Sequence, residues 1–255
     1  MTTPALDVSN ISRRFGGLMA VDDVSFSVAE GGLSALIGPN GAGKTTLFNV
    51  ITNLFAPSAG EARFFGHPLA GLDGHRIARL GLVRTFQTAR VFPGMTTLEN
   101  ALAGAHLSAR AHPVAQMLRL PGARTEERGL RDKAMALLDL VGLSGFAGSA
   151  ATDLPMGAQK NLEVIRALMA NPRMLLLDEP AAGLNDSETA DLAALLSAIR
   201  DIGITIMVVE HNMSLVMGIA DQVIVLDAGK LVAIGSPAQI QSDPRVIEAY
   251  VGLEA

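Results

Sequence analysis

A glycine-rich segment at residues 38–45 contains the residue types that can hold phosphate groups. It reads Gly-Pro-Asn-Gly-Ala-Gly-Lys-Thr and directly follows the apolar run 33–37. Glycines let successive backbone N–H groups turn toward a phosphate, while the lysine can reach its outer oxygens and the threonine hydroxyl can bind Mg²⁺. A buried strand, this loop and a helix that begins near Lys44 form the context that a Walker A loop requires. The segment therefore predicts a site for a nucleoside triphosphate.

The residues that we assign to nucleotide binding include the start of the helix after this loop. They are Gly38, Pro39, Asn40, Gly41, Ala42, Gly43, Lys44, Thr45 and Thr46. The alternative is a glycine-rich turn that happens to precede a lysine. Lysine is scarce in this chain, with four in total, and Lys44 is the only one before Lys133. We therefore favour the phosphate-binding loop, which by itself indicates an NTPase and nothing more specific.

Two adjacent carboxylates follow a second apolar run. Residues 174–180 read Met-Leu-Leu-Leu-Asp-Glu-Pro, so Asp178 and Glu179 stand at the end of a predicted buried strand. The first carboxylate can hold Mg²⁺, and the second can orient or deprotonate an attacking water. In isolation, an ordinary strand that ends at an acidic turn would look the same. Because a Walker A loop precedes it in the same chain, we interpret the segment as a Walker B motif.

Two further polar residues follow predicted strands and are expected near the same edge of the sheet. His211 comes shortly after the apolar run 205–209, and an imidazole there can hydrogen-bond a γ-phosphate. Gln87 follows the run 82–86 and can reach the metal ion or the attacking water. Taken alone, His211 would be a surface histidine and Gln87 a polar loop residue.

Short apolar runs predict the strands that must position these residues. They lie at residues 33–37, 82–86, 174–177, 205–209 and 222–226. Helical patterns lie between them, as where apolar residues recur at i, i+3, i+4 and i+7 from Leu192 to Ile199. Alternation of strand and helix predicts a mostly parallel sheet that is covered on both faces.

Residues 88–170 contain helical patterns and no clear strand, so we predict a helical insertion there, with a loop or broken helix at residues 112–124. Residues 5–26 and 61–66 look like strands of an antiparallel edge. The predicted fold class is α/β: a P-loop NTPase core of mostly parallel sheet with an antiparallel β edge and a helical insertion subdomain. Residues 1–255 would form a single domain, in which residues 1–87 and 171–255 build the nucleotide-binding core.

Composition limits the possible functions of this chain of 255 residues. It has no cysteine, so neither a disulfide framework nor a thiolate metal site is possible, which suits a reducing compartment such as the cytoplasm. The 20 basic and 25 acidic residues form no basic stripe, so no nucleic-acid partner is expected. The chain lacks a signal-peptide profile and any apolar run near the ~20 residues of a bilayer span. We therefore expect it to be soluble by itself.

The order of the motifs resembles that of the ATP-binding cassettes of ABC transporters. Walker A is followed by Gln87 at the start of the helical insertion, by the segment 154–159, by Walker B and by His211 one strand later. The resemblance covers essentially the whole chain. It implies that ATP is bound with Mg²⁺, that Phe15 stacks on adenine, and that two cassettes enclose two ATP molecules head to tail. By composition alone, Phe15 could equally be a core phenylalanine.

Several segments look like the branched-chain amino-acid importer branch of these cassettes, and in particular its larger ATPase subunit. They are residues 13–18, 83–87, 178–185, 209–213 and 246–250. Asn185 stands where most cassettes carry the aspartate of the D-loop, and this branch commonly has Gly-Leu-Asn there. The choice of an amino acid as the solute depends on this resemblance alone.

Residues 154–159 depart from the signature loop that the resemblance leads us to expect. The usual sequence is Leu-Ser-Gly-Gly-Gln, or Leu-Ser-Tyr-Gly-Gln in this branch, whereas this chain reads Leu-Pro-Met-Gly-Ala-Gln. The loop, Leu154, Pro155, Met156 and Gly157, would act on the nucleotide held by the partner cassette. Pro155 lacks the hydroxyl and the N–H of the usual serine. Because proline is tolerated in the first turn, we expect the following helix to form and the site made by this loop to be weakened.

The resemblance implies an ATPase subunit that drives an importer for branched-chain or related amino acids, or for another solute such as urea or an amide. Its partners would be a second cassette, identical or different, two transmembrane permease subunits and, indirectly, a periplasmic or extracellular solute-binding protein. The permeases would hold the chain at the cytoplasmic face of the membrane. The alternative is a weakly hydrolysing regulatory cassette, which the altered signature favours and the retention of Glu179 and His211 disfavours.

Overall fold

The computed structural model describes residues 3–85, 91–107 and 121–251, which belong to two units. The first comprises residues 1–87, 173–182 and 189–255, and we call it the sheet unit. The second comprises residues 88–172 and 183–188, and we call it the helical unit. No helix in the described ranges combines the length and the apolar character that crossing a membrane demands.

The predicted apolar runs form strands of the sheet unit. In chain order the strands are β1 (Leu6–Phe15), β2 (Leu18–Val28), β3 (Leu33–Ile37), β4 (Ala59–Phe64), β5 (His67–Pro68), β6 (Leu82–Arg84), β7 (Met174–Asp178), β8 (Thr205–Val209), β9 (Gln222–Asp227) and β10 (Lys230–Gly235). The helices are α1 (Lys44–Ile51), α2 (Gly74–Arg79), α3 (Thr97–Ala103), α4 (Pro121–Leu140), α5 (Met156–Leu168), α6 (Asp186–Asp201), α7 (Met213–Ile219), α8 (Pro237–Gln241) and α9 (Pro244–Val251). Short 3₁₀ turns cover Gly104–Leu107, Ser144–Phe146 and Ala151–Asp153.

The larger sheet places three functional loops side by side. Its strand order is β10-β9-β3-β8-β7-β6, with every pairing parallel except that of β10 with β9. Every residue of β3, β7 and β8 is buried, which explains why these strands are continuous apolar runs rather than alternating ones. The predicted α/β class is confirmed. Since carboxyl ends of parallel strands share one edge, the loops after β3, β8 and β7 are neighbours there.

A second, antiparallel sheet has the order β2-β1-β4-β5. It contains the two predicted edge segments, although a turn at residues 16–17 divides the first of them and β4 begins at Ala59. Helix α1 contributes Leu47, Phe48 and Ile51 to a core cluster that also contains side chains of both sheets. This burial anchors the helix whose first turn follows the glycine-rich loop.

The boundaries differ from the predictions at three places. Strand β6 ends at Arg84, and Phe86 lies outside the described residues. Strand β7 includes Asp178, which pairs with Val209 of β8. Helix α4 begins at Pro121, so the predicted loop or broken helix is wrong for residues 121–124. A proline fits the first turn of a helix because an N–H there has no intrahelical acceptor.

The helical unit is built around α3, α4 and α5. Thr96 and Glu99 form a capping box at the start of α3, each accepting a backbone N–H from the other. The end of α3 lies so close to α5 that a Cβ on Gly104 would stand 1.8 Å from the carbonyl oxygen of Arg166. Ala134 and Leu138 of α4 are fully buried, as expected for the apolar face of this helix.

Candidate functional site

The glycine-rich loop between β3 and α1 needs its glycines for two reasons. Gly38, Gly41 and Gly43 have φ values of 149°, 83° and 95°, in the region that side chains disfavour. A Cβ on Gly38 would lie 2.1 Å from the carbonyl oxygen of Leu226, and one on Gly43 would lie 2.4 Å from that of Ala20. Because both obstacles are backbone atoms, they cannot rotate away.

Lys44 is held inside this loop. Its Nζ donates to the carbonyl oxygens of Gly38 at 2.7 Å and Pro39 at 2.9 Å, and the residue is 6% exposed. Burial lowers the pKa of Lys44, while the charges of Glu179 and, to a smaller extent, Asp178 oppose that shift. The ammonium therefore lies within electrostatic reach of both Walker B carboxylates, and its position is fixed by the loop that would cradle a phosphate.

A cavity of about 390 Å³ opens beside the loop. Its lining includes Lys44, Thr45 and Thr46 of α1, Met19 of β2 and Ala228 from the turn between β9 and β10. Thr45 is exposed, so its hydroxyl is accessible to a ligand. Backbone N–H groups at a helix N-terminus and one ammonium group suit an anion such as a phosphate chain.

The two carboxylate oxygens of Asp178, at the end of β7, have different surroundings. Its Oδ2 accepts a hydrogen bond from Arg84 Nη2 at 2.7 Å, and the aspartate side chain is 3% exposed. Its Oδ1 is buried and has no hydrogen-bond partner among the described residues. A buried carboxylate oxygen without a partner is costly unless a ligand satisfies it. Mg²⁺, a hard cation that takes oxygen ligands, suits this carboxylate oxygen.

Glu179 follows Asp178 in a conformation that non-glycine residues rarely adopt, with φ at 49°. Its N–H donates to the carbonyl oxygen of Val209 at 2.9 Å, which fixes the backbone at the edge of the sheet. Such strained conformations persist where the surrounding structure enforces them. The carboxylate is partly exposed, as a group that contacts a reacting water must be.

Glu210 is a buried carboxylate at this edge that the sequence analysis missed. It is 0% exposed, and its Oε1 accepts the N–H of Ala181 at 2.7 Å. Its Oε2 accepts the N–H groups of His211 at 3.1 Å and Asn212 at 3.3 Å. Glu210 thus joins the loop after Glu179 to the loop that carries His211, whose side chain is exposed. The sequence signal that could have identified Glu210 is an acidic residue directly after a predicted buried strand.

Phe15 lies in the hairpin of β1 and β2, where it pairs with Leu18, a residue of the cavity lining. Phe15 itself does not line that cavity. The ring is 38% exposed, contacts Phe55 edge-to-face at 5.3 Å, and lies 4.5 Å from the guanidinium of Arg13. One ring contact is therefore a cation–π interaction, and part of the aromatic surface is left for a ligand.

Tyr250 of α9 reaches the glycine-rich loop from the C-terminal end of the chain. Its hydroxyl is buried and lacks a hydrogen bond of ordinary geometry in the described part, although the Gly38 backbone lies within interaction range. Burial raises the pKa of Tyr250 to about 12, against a smaller lowering by the Gly38 backbone. In the sequence, Tyr250 stands out only as part of the segment 246–250, which looks like the importer branch.

The signature-like loop lies in the helical unit, before α5. Leu154 is buried and Met156 is 55% exposed, while Pro155 is the N-cap of α5 and makes no side-chain capping bond. The helix forms as expected. Although Pro155 provides no side-chain cap, the N–H of Gly157 donates to Oε1 of Glu188 at 3.3 Å. A Cβ on Gly157 would lie 2.7 Å from that oxygen.

Glu188 also binds the segment that contains Asn185. Its Oε2 accepts the Asn185 N–H at 3.0 Å, and its own N–H donates to Asn185 Oδ1 at 3.0 Å. One carboxylate thus connects the start of α5 with the start of α6. Glu188 belongs to none of the recognised motifs and was not predicted from the sequence.

The sheet unit therefore brings Lys44, Asp178, Glu179 and His211 to one edge, with Thr45 at the adjoining cavity. The helical unit by itself joins the signature-like loop to Asn185. Gln87 lies outside the described residues, so its predicted approach to the metal ion stays a prediction.

The chain is similar to known proteins in sequence and in fold. The family model described as ABC transporter matches residues 21–182, and one described as branched-chain amino acid ATP-binding cassette transporter matches residues 230–255. The chain is 45% identical over 253 residues to the high-affinity branched-chain amino acid transport ATP-binding protein BraF of Pseudomonas aeruginosa, covering 99% of both chains. It is 42% identical over 253 residues to the corresponding protein LivG of Escherichia coli, again covering 99% of both.

Among solved structures, the chain is similar to an ATP-binding cassette of an ABC transporter in its ADP conformation. The TM-score is 0.85 at 34% identity, covering 98% of this chain and 100% of that one. A nucleotide-free cassette gives a TM-score of 0.83 at 33% identity, covering 97% and 98%.

Proposed function

The chain belongs to the family of ABC transporter ATP-binding proteins, and we propose that it binds and hydrolyses ATP to drive an importer of branched-chain or related amino acids. The observation that carries the catalytic part is the convergence of Lys44 with two carboxylates at one sheet edge. The ammonium lies in the loop that would hold phosphates, and the charges of Glu179 and Asp178 act on it. Similarity to BraF and LivG over nearly the full chain supports the solute class.

Each residue has a distinct role in the proposed reaction. The loop N–H groups and Lys44 bind the phosphates, and His211 contacts the γ-phosphate. Glu179 orients a water and takes its proton as that water attacks the γ-phosphorus, while the bond from this phosphorus to the bridging oxygen breaks and ADP leaves with the electron pair. Thr45, Asp178 and Gln87 would hold Mg²⁺, which would supply positive charge to neutralise the phosphate oxygens.

Glu179→Gln tests the catalytic assignment because it removes the base and preserves the size of the side chain. Loss of a general base typically costs a factor of about 10²–10⁴, so turnover of the assembled transporter should fall at least ~100-fold with ATP binding retained. Glu30→Gln is the matched control, since Glu30 is an exposed acid that pairs with Arg173 at the surface. A Glu179→Gln transporter as fast as the wild type would contradict the assignment.

The solute and the partners are tested in the assembled transporter. We expect the chain to co-purify with a second cassette and two permease subunits, and Lys44→Ala to abolish energised uptake of labelled leucine. Uptake of urea or an amide, with leucine uptake unaffected by Lys44→Ala, would favour the other solute class.

We propose further that the two composite ATP sites are unequal. Pro155 offers neither hydroxyl nor N–H to a partner's nucleotide, and the Gly157 N–H already donates to Glu188. Both features weaken the site to which this loop contributes, while the site on Lys44, Asp178 and Glu179 depends on the partner's signature. Pro155→Ser should raise the ATPase rate of the assembled transporter, and an unchanged rate would overturn the idea.

A regulatory cassette that barely hydrolyses ATP is the second candidate, favoured by the same altered loop. It predicts that the wild-type assembly is already as slow as the Glu179→Gln assembly. A large difference in turnover between the two assemblies excludes it.

A further inference from the structure

Arg84 connects the two motifs of the proposed nucleotide site. It is the last residue of β6, and its side chain is 10% exposed. Nη2 donates to Asp178 Oδ2 at 2.7 Å, while Nη1 donates to Asn49 Oδ1 at 2.7 Å and to Thr52 Oγ1 at 3.1 Å. A single planar guanidinium thus binds both the end of β7 and the helix α1 that follows the Walker A loop.

Arg84 holds Asn49 of α1 and Thr52, the C-cap residue of that helix, and both lie on the same helix face as Thr45. Thr45, Asn49 and Thr52 are spaced at i, i+4 and i+7, which puts their side chains in one row along a helix. A hydrogen bond to Asn49 or Thr52 therefore fixes the rotation of α1 that directs Thr45. Helix α1 is also anchored on its apolar side by core residues such as Phe48, so the remaining freedom is small.

The same guanidinium fixes the direction of the Asp178 carboxylate. Because the carboxylate is planar, the hydrogen bond that holds Oδ2 also sets the direction of Oδ1. Oδ1 is buried and lacks a hydrogen-bond partner in the described ranges, and it is the oxygen that suits a cation. The positive charge of Arg84 also compensates the buried Asp178 carboxylate. Burial of a carboxylate without an opposite charge is unfavourable.

We propose that Arg84 is a positioning residue for the metal half of the site, which holds Asp178 Oδ1 and the Thr45 hydroxyl in the arrangement that Mg²⁺ requires. The inference rests on the proposed ATP site. It adds a residue that acts through its hydrogen bonds to Asp178 and to Asn49 of α1. The competing account is an ion pair that stabilises the fold and has no separate influence on the metal.

Arg84→Lys separates the two accounts because it keeps the positive charge and removes the planar guanidinium with its several N–H donors. A lysine ammonium can pair with Asp178 but cannot reproduce the planar geometry that also serves Asn49 and Thr52. Residues that orient metal ligands typically change metal affinity by about 10–100-fold when they are mutated. We expect the Mg²⁺-dependent gain in ATP affinity to fall at least ~10-fold, and affinity in EDTA to stay within about twofold of wild type.

The measurement is the binding of a fluorescent ATP analogue to the full chain, in EDTA and across a Mg²⁺ titration, with thermal unfolding recorded for each variant. Asn49→Ala is the second variant, since it leaves every charge in place and loosens only the α1 side of the contact. It should shift the Mg²⁺ titration in the same direction by a smaller factor. Arg200→Lys is the control, because Arg200 pairs with Asp201 and Asp221 and donates to the carbonyl oxygen of Ile219.

The outcomes are distinguishable. A wild-type chain that does not bind the analogue would refute the proposed function itself. If the wild type binds it and Arg84→Lys lowers affinity equally in EDTA and Mg²⁺, or lowers only the unfolding temperature, Arg84 is a structural ion pair. A wild type that gains nothing from Mg²⁺, or an Arg84→Lys titration that matches the wild type, likewise overturns the inference.

Discussion

Replacement of Glu210 by glutamine should destabilise the protein and misalign the catalytic edge together. The carboxylate accepts three backbone N–H groups, from Ala181, His211 and Asn212, at 2.7, 3.1 and 3.3 Å. A glutamine has one acceptor oxygen, so its NH₂ group must face at least one of these donors. In either orientation of the amide, one or two of the N–H groups lose their acceptor, and the bonds that remain are no longer made to a charged group.

The magnitude follows from the burial of the site. Hydrogen bonds to charged groups contribute about 1.5–3 kcal/mol each, and a buried donor left without an acceptor adds a penalty of similar size. Relief of the cost of burying a charge offsets part of the loss. We expect a fall of about 2–4 kcal/mol in the free energy of unfolding, which is a large part of the ~5–15 kcal/mol of a typical domain.

Urea unfolding of the full chain measures this change, and the ATPase rate of the assembled transporter measures the effect on alignment. Glu61→Gln is the control: its carboxylate pairs with Arg63 but is 44% exposed, so we expect a change below about 1 kcal/mol. An unfolding midpoint of Glu210→Gln equal to that of the wild type would refute the reasoning about the three N–H groups.

Three further predictions concern single contacts. Gly38→Ala should abolish binding of a fluorescent ATP analogue, because its Cβ would meet the Leu226 carbonyl oxygen at 2.1 Å, and retained wild-type affinity would contradict the geometry. Tyr250 is the only tyrosine, so an ultraviolet titration should show ionisation near pH 12 in the folded chain and near 10 after unfolding. Because the raised pKa favours the protonated folded state, stability should fall as pH rises from 10 toward 12, and Tyr250→Phe should remove this dependence. Gly157→Ala should push away the flexible Glu188 carboxylate and change the unfolding free energy by less than about 1 kcal/mol, measured by urea unfolding; a larger loss would mean that the carboxylate cannot move.

The strands and the phosphate-binding loop could be predicted because the sequence patterns that indicate them are local. Burial of β3, β7 and β8 on both faces forces continuous apolar runs, and the glycines at 38, 41 and 43 mark backbone conformations that other residues disfavour. The prediction of a loop or broken helix was wrong at Pro121, where α4 begins. Proline disrupts the interior of a helix but suits its first turn.

The type of chemistry can be predicted from contiguous patterns along the chain, namely the Walker A loop, the adjacent carboxylates and their order. The polar residues that support these motifs become visible in the folded chain. Arg84 lies 94 positions from Asp178, and Glu188 lies 31 from Gly157. Arg84 meets Asp178 because β6 pairs directly with β7 in the sheet, and Glu188 meets Gly157 because the start of α6 reaches the start of α5 in the helical unit. Hydrogen bonding depends on distances of about 3 Å in space, which spacing along the chain does not encode.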